Sequence, residues 1–373
     1  MDKTQSHPTL SRRDFLKLTV AAGAVAVGGH LLDAYAPWLN DEEQAALTRK
    51  PFAQEDVMSQ PLVEIVRYAT LAANGHNTQP WKFATRQDGI EIHPDYSRHL
   101  PVVDPENREL WISLGCALEN LLLAARAAGY APAVAYPDAD EIIRVQLAPD
   151  TPQANPLFDA IPLRQTTRSI YDGRPVSSAD LDTLQSLPLE PGVTLRFLST
   201  PTEMETALEY VNAGNLRQYA DRAFVNELIS WLRFNKKEAM ATLDGLYSRC
   251  SGNPTVPRWL GRMFVGGMKP QQQADADAEK LRSSAGVVII ASDTDDKAAW
   301  VRAGQVYERL SLQMTALHVK SALLNQPIEV AELRNQFQSA FNLDAHLPQL
   351  LARFGYADPL PKSLRRPVEQ ILI

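Results

Sequence analysis

The chain is short of the residues that thiol and metal chemistry most often need. It holds two cysteines, Cys116 and Cys250, and seven histidines among 373 residues. No CxxC pair occurs, and His76, His93 and His99 have no ligand spacing, so no metal centre is expected. A Ser-His-Asp order, a His-Glu metal motif and a phosphate-binding P-loop are all absent, which removes the commoner routes to hydrolysis and nucleotide turnover. Positive charge is in deficit: 37 Lys and Arg stand against 44 Asp and Glu, a net charge of −7. That balance gives no reason to expect nucleic acid as a partner. Cys116 sits in an apolar helical run and reads as a small buried hydrophobe. A disulfide between the two cysteines stays open if the chain enters an oxidising compartment.

What is present begins with a targeting pattern. Ser11-Arg12-Arg13-Asp14-Phe15-Leu16-Lys17 precedes a small apolar run at 18–32, and Ala34-Tyr35-Ala36 offers a small-x-small cleavage site. Twin arginines in that setting read as a Tat export signal. Residues 1–36 are therefore assigned to the signal, with the periplasm or cell envelope as destination and the Tat machinery as a partner. The run is too short for a comfortable membrane span, though uncleaved it would still tether the chain. Gly28-Gly29-His30 belongs to this signal and is no dinucleotide fingerprint.

Residues 37–60 read as a polar arm or linker. A helix is expected over 58–73, then strands at 81–85 and 90–93 around the Asp88-Gly89 turn. A long apolar helix over 110–128 stops at Gly129, and a strand follows at 142–147. A second unit opens at Ile161. It brings a short helix capped by Ser177, a strand at 193–198, a long helical stretch over 215–242 and a buried strand at 286–292. Between them, residues 244–269 are rich in Gly, Pro and Trp and read as mobile surface or a lid over a site. A second long helix spans 300–320. At an offset of 189 residues it repeats Trp111 as Trp300, Gly115 as Gly304, Glu119 as Glu308, Leu121 as Leu310 and Leu123 as Leu312. An internal duplication accounts for that better than chance between two apolar helices. The halves are set at 61–160 and 161–373.

The stretch that organises the chain is Asn74-Gly75-His76-Asn77-Thr78-Gln79-Pro80-Trp81. A glycine among side-chain amides at a helix-to-strand corner allows close approach to a flat polar ligand. Pro80 is expected to bias Gln79 towards extended geometry. This segment resembles the helix-to-strand corner of the nitroreductase superfamily, in its Acg-like branch. Asn77, Gln79, Pro80 and Trp81 match the motif, while Asn74 and Gly75 replace its two serines. Arg164-Gln165-Thr166-Thr167-Arg168 resembles the Arg-x-Ser-x-Arg start of nitroreductase subunits, where two arginines grip a phosphate by charge-assisted bonds. Lys362, Arg365 and Arg366 resemble the family's basic C-terminal segment. Asn325-Gln326 falls where the family places backbone amides beside the flavin.

The resemblance implies an α+β nitroreductase-like three-layer fold, with mixed sheets, long central helices and FMN between two fused halves. The first half has the corner and no Arg-x-Ser-x-Arg; the second has the arginines and no Gln-Pro-Trp. A monomeric internal pseudo-dimer with one composite site follows. The implied cofactor-binding set is Asn74, Gly75, His76, Asn77, Gln79, Arg164, Gln165, Thr166, Arg168, Asn325, Gln326, Lys362, Arg365 and Arg366, with no catalytic side chain assigned. The implied activity is electron transfer through FMN from NAD(P)H or another reductant to a small nitroaromatic or quinone-like acceptor. Export away from cytoplasmic NAD(P)H, and the segment over 244–269, leave open an exported FMN-binding or sequestering protein with little turnover.

Overall fold

The computed structural model describes residues 33–52 and 60–373. The Ser-Arg-Arg motif, the 18–32 run and the first residues of the expected 58–73 helix lie outside the described residues. The chain opens with α1 (Asp41–Leu47), α2 (Pro61–Ala69), the hairpin β1 (Trp81–Arg86) and β2 (Gly89–Pro94), α3 (Arg108–Ala127), β3 (Tyr130–Ala135) and β4 (Ile143–Pro149). It continues through α4 (Pro156–Ala160), α5 (Ser178–Gln185), β5 (Val193–Leu198), α6 (Pro201–Ala220), α7 (Arg222–Trp231), α8 (Lys236–Thr242), α9 (Arg258–Gly266) and α10 (Pro270–Arg282). Then come β6 (Gly286–Ser292), α11 (Lys297–Ala316), β7 (Lys320–Leu323), α12 (Gln326–Glu329), α13 (Ala331–Ala340) and β8 (Leu347–Gly355).

Two four-stranded sheets result, ordered β1-β2-β4-β3 and β5-β6-β8-β7. Every pair within them is antiparallel. Among the described residues, the parallel part is confined to single bridges at their edges, Phe83 with Leu372 and Thr166 with Ser321, and to a two-residue pair, Leu232–Arg233 with Leu246–Tyr247. The Phe83 bridge joins the C-terminus to the sheet of the first half: Phe83 N donates to Ile371 O at 2.8 Å, and Ile373 N to Phe83 O at 2.9 Å. The fold is α+β.

Helices α3 and α11 pack on each other between the sheets, in one apolar core that also holds Trp81, Phe83, Ile90 and Ile92 from one sheet and Val288, Ile290, Leu350 and Phe354 from the other. Helix α3 is the one described helix long and apolar enough to cross a membrane, and it is buried as a core helix. The two helices cross on glycines. A Cβ on Gly115 would lie 2.0 Å from Val301 O, and one on Gly304 would lie 2.0 Å from Ile112 O. Ile112 and Val301 are related by the same 189-residue offset as Gly115 and Gly304. The contact is therefore reciprocal, as at a two-fold interface between copies of one patch.

The helical stretch expected over 215–242 is three helices. Asp221 caps α7 by accepting from Ala223 N, and Asn235 caps α8 by accepting from Glu238 N. Side-chain oxygens that satisfy the first free N–H groups restart the helix at each point. The segment 244–269 is not loop throughout, since it contains α9, seated on Phe234, Val225 and Ile229. Cys116 and Cys250 are both buried free thiols; Cys116 donates to Gly304 O at 3.3 Å.

Candidate functional site

Helix α2 ends at Thr70, and the chain turns through a 3-10 turn, Gly75–Asn77, into β1. Three non-glycine residues of this corner hold positive φ: His76 at 49°, Asn77 at 53° and Gln79 at 53°. Gln79 thus departs from the extended geometry that Pro80 favours. Such backbone is costly and persists only where its surroundings over-determine it. Here they do: Gln79 N donates to Asn74 Oδ1 at 2.9 Å, its Nε2 to Leu243 O at 2.9 Å, and its Oε1 accepts from Arg366 N at 2.9 Å. Arg366 Nη2 also donates to Gln79 O at 2.6 Å. Asn77 Nδ2 donates to Gly245 O and Leu364 O, and its Oδ1 accepts from Arg365 Nη1 at 2.5 Å. The corner is clamped from both sides, by the C-terminal segment and by residues 243–245.

Beside the corner lies a cavity lined by Asn74, Asn77, Arg164, Gln165, Thr166 and Arg168, and closed by Arg49, Lys362, Arg365 and the 245–251 segment. Its empty space, mouth included, is about 570 Å³. Among the described residues, five cations face it and no carboxylate lines it. Arg164 and Arg365 are buried; Arg49, Arg168 and Lys362 are partly so. Arg164 Nε sits 3.0 Å from Glu308 Oε1, an ion-pair contact outside hydrogen-bond geometry. Glu308, fully buried behind it, accepts from Ala73 N at 3.1 Å. Arg164 Nη2 donates to Leu71 O at 2.9 Å, while Nη1 is buried without a hydrogen-bond partner among the described residues. Arg365 spends its donors on the carbonyls of Thr70, Leu71 and Ala72 and on Ser363 Oγ. Arg168 forms no hydrogen bond or ion pair among the described residues.

Desolvation and like charge act together here, and both disfavour the charged form of a base. Burial and the charges of Arg49, Arg164, Lys320 and Arg365 pull Lys362 down to about 7. Burial and Arg164 lower Arg49 to about 10, and burial with Arg49 and Arg164 holds Arg365 well below the usual guanidinium range. His76, desolvated and facing the Arg168 charge, is lowered to about 4 and is neutral at pH 7. Several desolvated cations with one carboxylate between them leave positive charge that a bound anion would offset.

The structure gathers eight of the sequence-derived candidates around this cavity: Asn74, Asn77, Arg164, Gln165, Thr166, Arg168, Lys362 and Arg365. Gln165 joins it to the C-terminal segment through Leu360 and Pro361. The other six are placed differently. Gly75 faces a separate small recess with Leu100 and Glu109, and His76 and Gln79 belong to the corner without lining the cavity. Arg366 points away to Gln79 O and Trp81 O. Asn325 Nδ2 donates to Glu109 Oε1 at 3.0 Å, and Gln326 Nε2 to Asp277 Oδ2 at 3.0 Å. Sequence reasoning missed Arg49, which the arm delivers to the cavity and which donates to Ser363 O at 2.9 Å. It noted Glu308 only as a repeat match; a buried acid in a central helix was the signal. Asp244, bridging Arg98 and Arg233, had no local signature.

No protein-family model matches the chain. Two proteins of Mycobacterium tuberculosis named "Putative NAD(P)H nitroreductase" are 28% identical over 321 residues and 23% identical over 319 residues. These matches cover 83% and 82% of this chain, and 90% and 93% of the two proteins. The chain is similar to proteins named nitroreductases. Among solved structures it matches the FMN-dependent nitroreductase NfnB of Mycobacterium smegmatis in complex with NADPH, at 12% identity and TM-score 0.37 over 54% of this chain and 88% of that one. A nitroreductase with bound FMN from Desulfitobacterium hafniense matches at 12% identity and TM-score 0.36, over 58% and 97%. The likeness to these relatives spans most of the chain.

Proposed function

We propose that the chain is an FMN-dependent oxidoreductase of nitroreductase type, with one flavin held in the cavity beside the 74–79 corner. The observation that carries this reading is the cation set: five basic side chains, one carboxylate behind them, and a buried Arg164 Nη1 with no partner. That donor set fits the phosphate of FMN, because guanidinium and ammonium groups bind phosphate by charge-assisted bonds. Names that include NAD(P)H nitroreductase among the relatives support the same reading.

Arg168, Lys362, Arg49 and the free Nη1 of Arg164 would hold the phosphate end, with Arg365, its donors already spent, adding positive charge behind them. Asn74 and Asn77 would present amide groups to the polar edge of the ring. Bound FMN supplies the hydride and electron chemistry, and the protein supplies position, electrostatics and water exclusion. The clamps from Asn77 and Gln79 to Gly245 and Leu243 hold the 243–251 wall over the site and restrict any acceptor to a small molecule. Neutral His76 adds no charge there. The donor is NAD(P)H or another reductant; the acceptor is a nitroaromatic or quinone-like molecule; export is by the Tat route to the periplasm or cell envelope. The reciprocal Gly115 and Gly304 contact supports a fused pair of halves that works as a monomer.

The same clamped wall favours a second reading, an exported protein that binds or stores FMN with little turnover. Visible absorption of the purified protein, before and after anaerobic NADPH, separates the two. Flavin bands that bleach are expected. Bands that persist with NADPH and with dithionite-free donors of other classes move the reading to storage. No bands, and none after adding FMN, refute both.

A further inference from the structure

We propose that Glu308 is the positioning residue of the flavin site, a single carboxylate that sets the Arg164 guanidinium against the 74–79 corner. This role rests on the FMN reading above and adds a residue that does not line the cavity. Glu308 is fully buried on α11. Its Oε1 lies 3.0 Å from Arg164 Nε, and its Oε2 accepts from Ala73 N at 3.1 Å. Arg164 stands at the start of the second half, and Ala73 lies in the turn that leads from α2 into the corner of the first. One side chain therefore fastens two walls of the cavity to each other.

The internal repeat supplies a comparison within the same molecule. Glu119 holds the equivalent place on α3, 189 residues earlier. It meets Arg309 with both oxygens, accepting from Nε at Oε1 and from Nη2 at Oε2, each at 2.8 Å. Arg309 Nη1 donates to Pro188 O at 2.6 Å, and Nη2 also to Glu190 Oε1 at 2.8 Å, so every nitrogen of that guanidinium is taken. Glu308 meets its arginine with one oxygen only. Arg164 Nη2 is spent on Leu71 O, and Nη1 has no hydrogen-bond partner among the described residues. The same acid thus closes an arginine in one half, and in the other it holds an arginine from behind and leaves one nitrogen for a ligand.

Burial raises the Glu308 carboxyl above its ordinary value, and the Arg164 charge, the bond from Ala73 N and the Arg365 charge oppose that rise. A guanidinium held from behind keeps one orientation, and a pre-oriented donor gives up less freedom when it binds phosphate. Position and charge predict opposite signs here. If Glu308 acted through its charge alone, removing it from beside five cations would strengthen the hold on a phosphate. If it acts by orienting Arg164, the same removal weakens that hold.

The test is FMN affinity by fluorescence quenching at pH 7, with urea midpoints for the same proteins. Glu308→Gln offers one acceptor oxygen to two donors and should weaken FMN by about tenfold or more, the worth of one bond to a charged group. Glu308→Asp keeps the charge and shortens the reach by one methylene. It should weaken FMN as well, and it replaces Glu308→Gln if that variant does not fold. Glu119→Gln should lower the urea midpoint and leave the affinity at the wild-type value. In an Arg164→Met background, Glu308→Gln should add only about twofold or less, because its route to the ligand is gone. Unchanged or tighter binding by Glu308→Gln, or full affinity in Glu308→Asp, would overturn the positioning role. So would equal losses in Glu308→Gln and Glu119→Gln, which would make the residue structural, or a loss that Arg164→Met leaves undiminished. Wild-type protein that binds no FMN would instead overturn the flavin reading, and the role with it.

Discussion

If the cation set holds the phosphate of FMN, Lys362 must take up a proton when the flavin binds. Without FMN, burial and four neighbouring cations hold this lysine at about 7, against an ordinary 10.5. A bound phosphate supplies the missing negative charge, and if it restores the ordinary value the affinity falls about fifty-fold between pH 7 and pH 9, by linkage over that window. The sign is fixed: the bound form holds the proton to higher pH than the free form, so binding weakens as pH rises from about 7. Over this range the phosphate itself stays fully charged, since its second pKa lies near 6. For the flavin-free protein the effect on folding runs the other way. The unfolded lysine keeps its proton towards 10.5 and the folded one releases it near 7, so stability rises with pH between those values. The assay is FMN affinity by fluorescence quenching at pH 7, 8 and 9, with calorimetry in two buffers of different ionisation enthalpy to count protons. Lys362→Met should bind more weakly at pH 7 and show no slope. Lys362→Arg should bind at pH 9 nearly as well as at pH 7, because its guanidinium keeps its charge. A wild-type affinity independent of pH, or the same slope in Lys362→Met, would refute the assignment of Lys362 to the phosphate.

Three further outcomes follow from the geometry. Gly304→Ala places a methyl 2.0 Å from Ile112 O and forces α3 and α11 apart, so it should destabilise by about 2–3 kcal/mol; Gly266→Ala, with nothing nearer than 3.9 Å, should not. Equal denaturant midpoints for the two would contradict the close helix crossing. Arg168→Ala should lower FMN occupancy of the purified protein more than His93→Ala, since only the arginine faces the cavity; equal occupancy would sink that role. Asp244 is pushed up by burial, yet bonds from Thr242 and Arg233 and the charges of Arg233 and Arg98 hold it below the ordinary value. Its contribution is therefore present above about pH 4 and lost as pH falls through the lowered value. Asp244→Asn should speed proteolysis within 243–251 at pH 7 and lower the urea midpoint, and an unchanged digestion pattern would show that this ion pair does not hold the wall.

Local features of the chain were legible because their causes are local. The Asp88-Gly89 turn, the Ser177 cap, the strands at 193–198 and 286–292 and the two long helices were each readable within a few residues of sequence. The 189-residue repeat even marked Gly115 and Gly304, although only packing shows why both are glycine: each lies under a carbonyl of the opposite helix. The corner and the Arg164 segment were visible as motifs whose residue types already suit an amide-lined, phosphate-binding site.

What tertiary structure decided was direction and company. Arg365 and Arg366 are neighbours in sequence, yet one turns to the carbonyls of Thr70, Leu71 and Ala72 and the other to Gln79 and Trp81, because adjacent side chains of a non-helical segment point apart. The side chains of Asn325 and Gln326 bond to buried carboxylates, Glu109 and Asp277, that sequence could not place beside them. The positive φ of Gln79 follows from four hydrogen bonds to three separate segments, which together outweigh the preference imposed by Pro80. Arg49 reached the site from an arm with no motif at all. Sequence by itself determined which groups the protein owns and which short segments can form. Which cations share one desolvated space was decided only when segments more than 300 residues apart in the chain packed together.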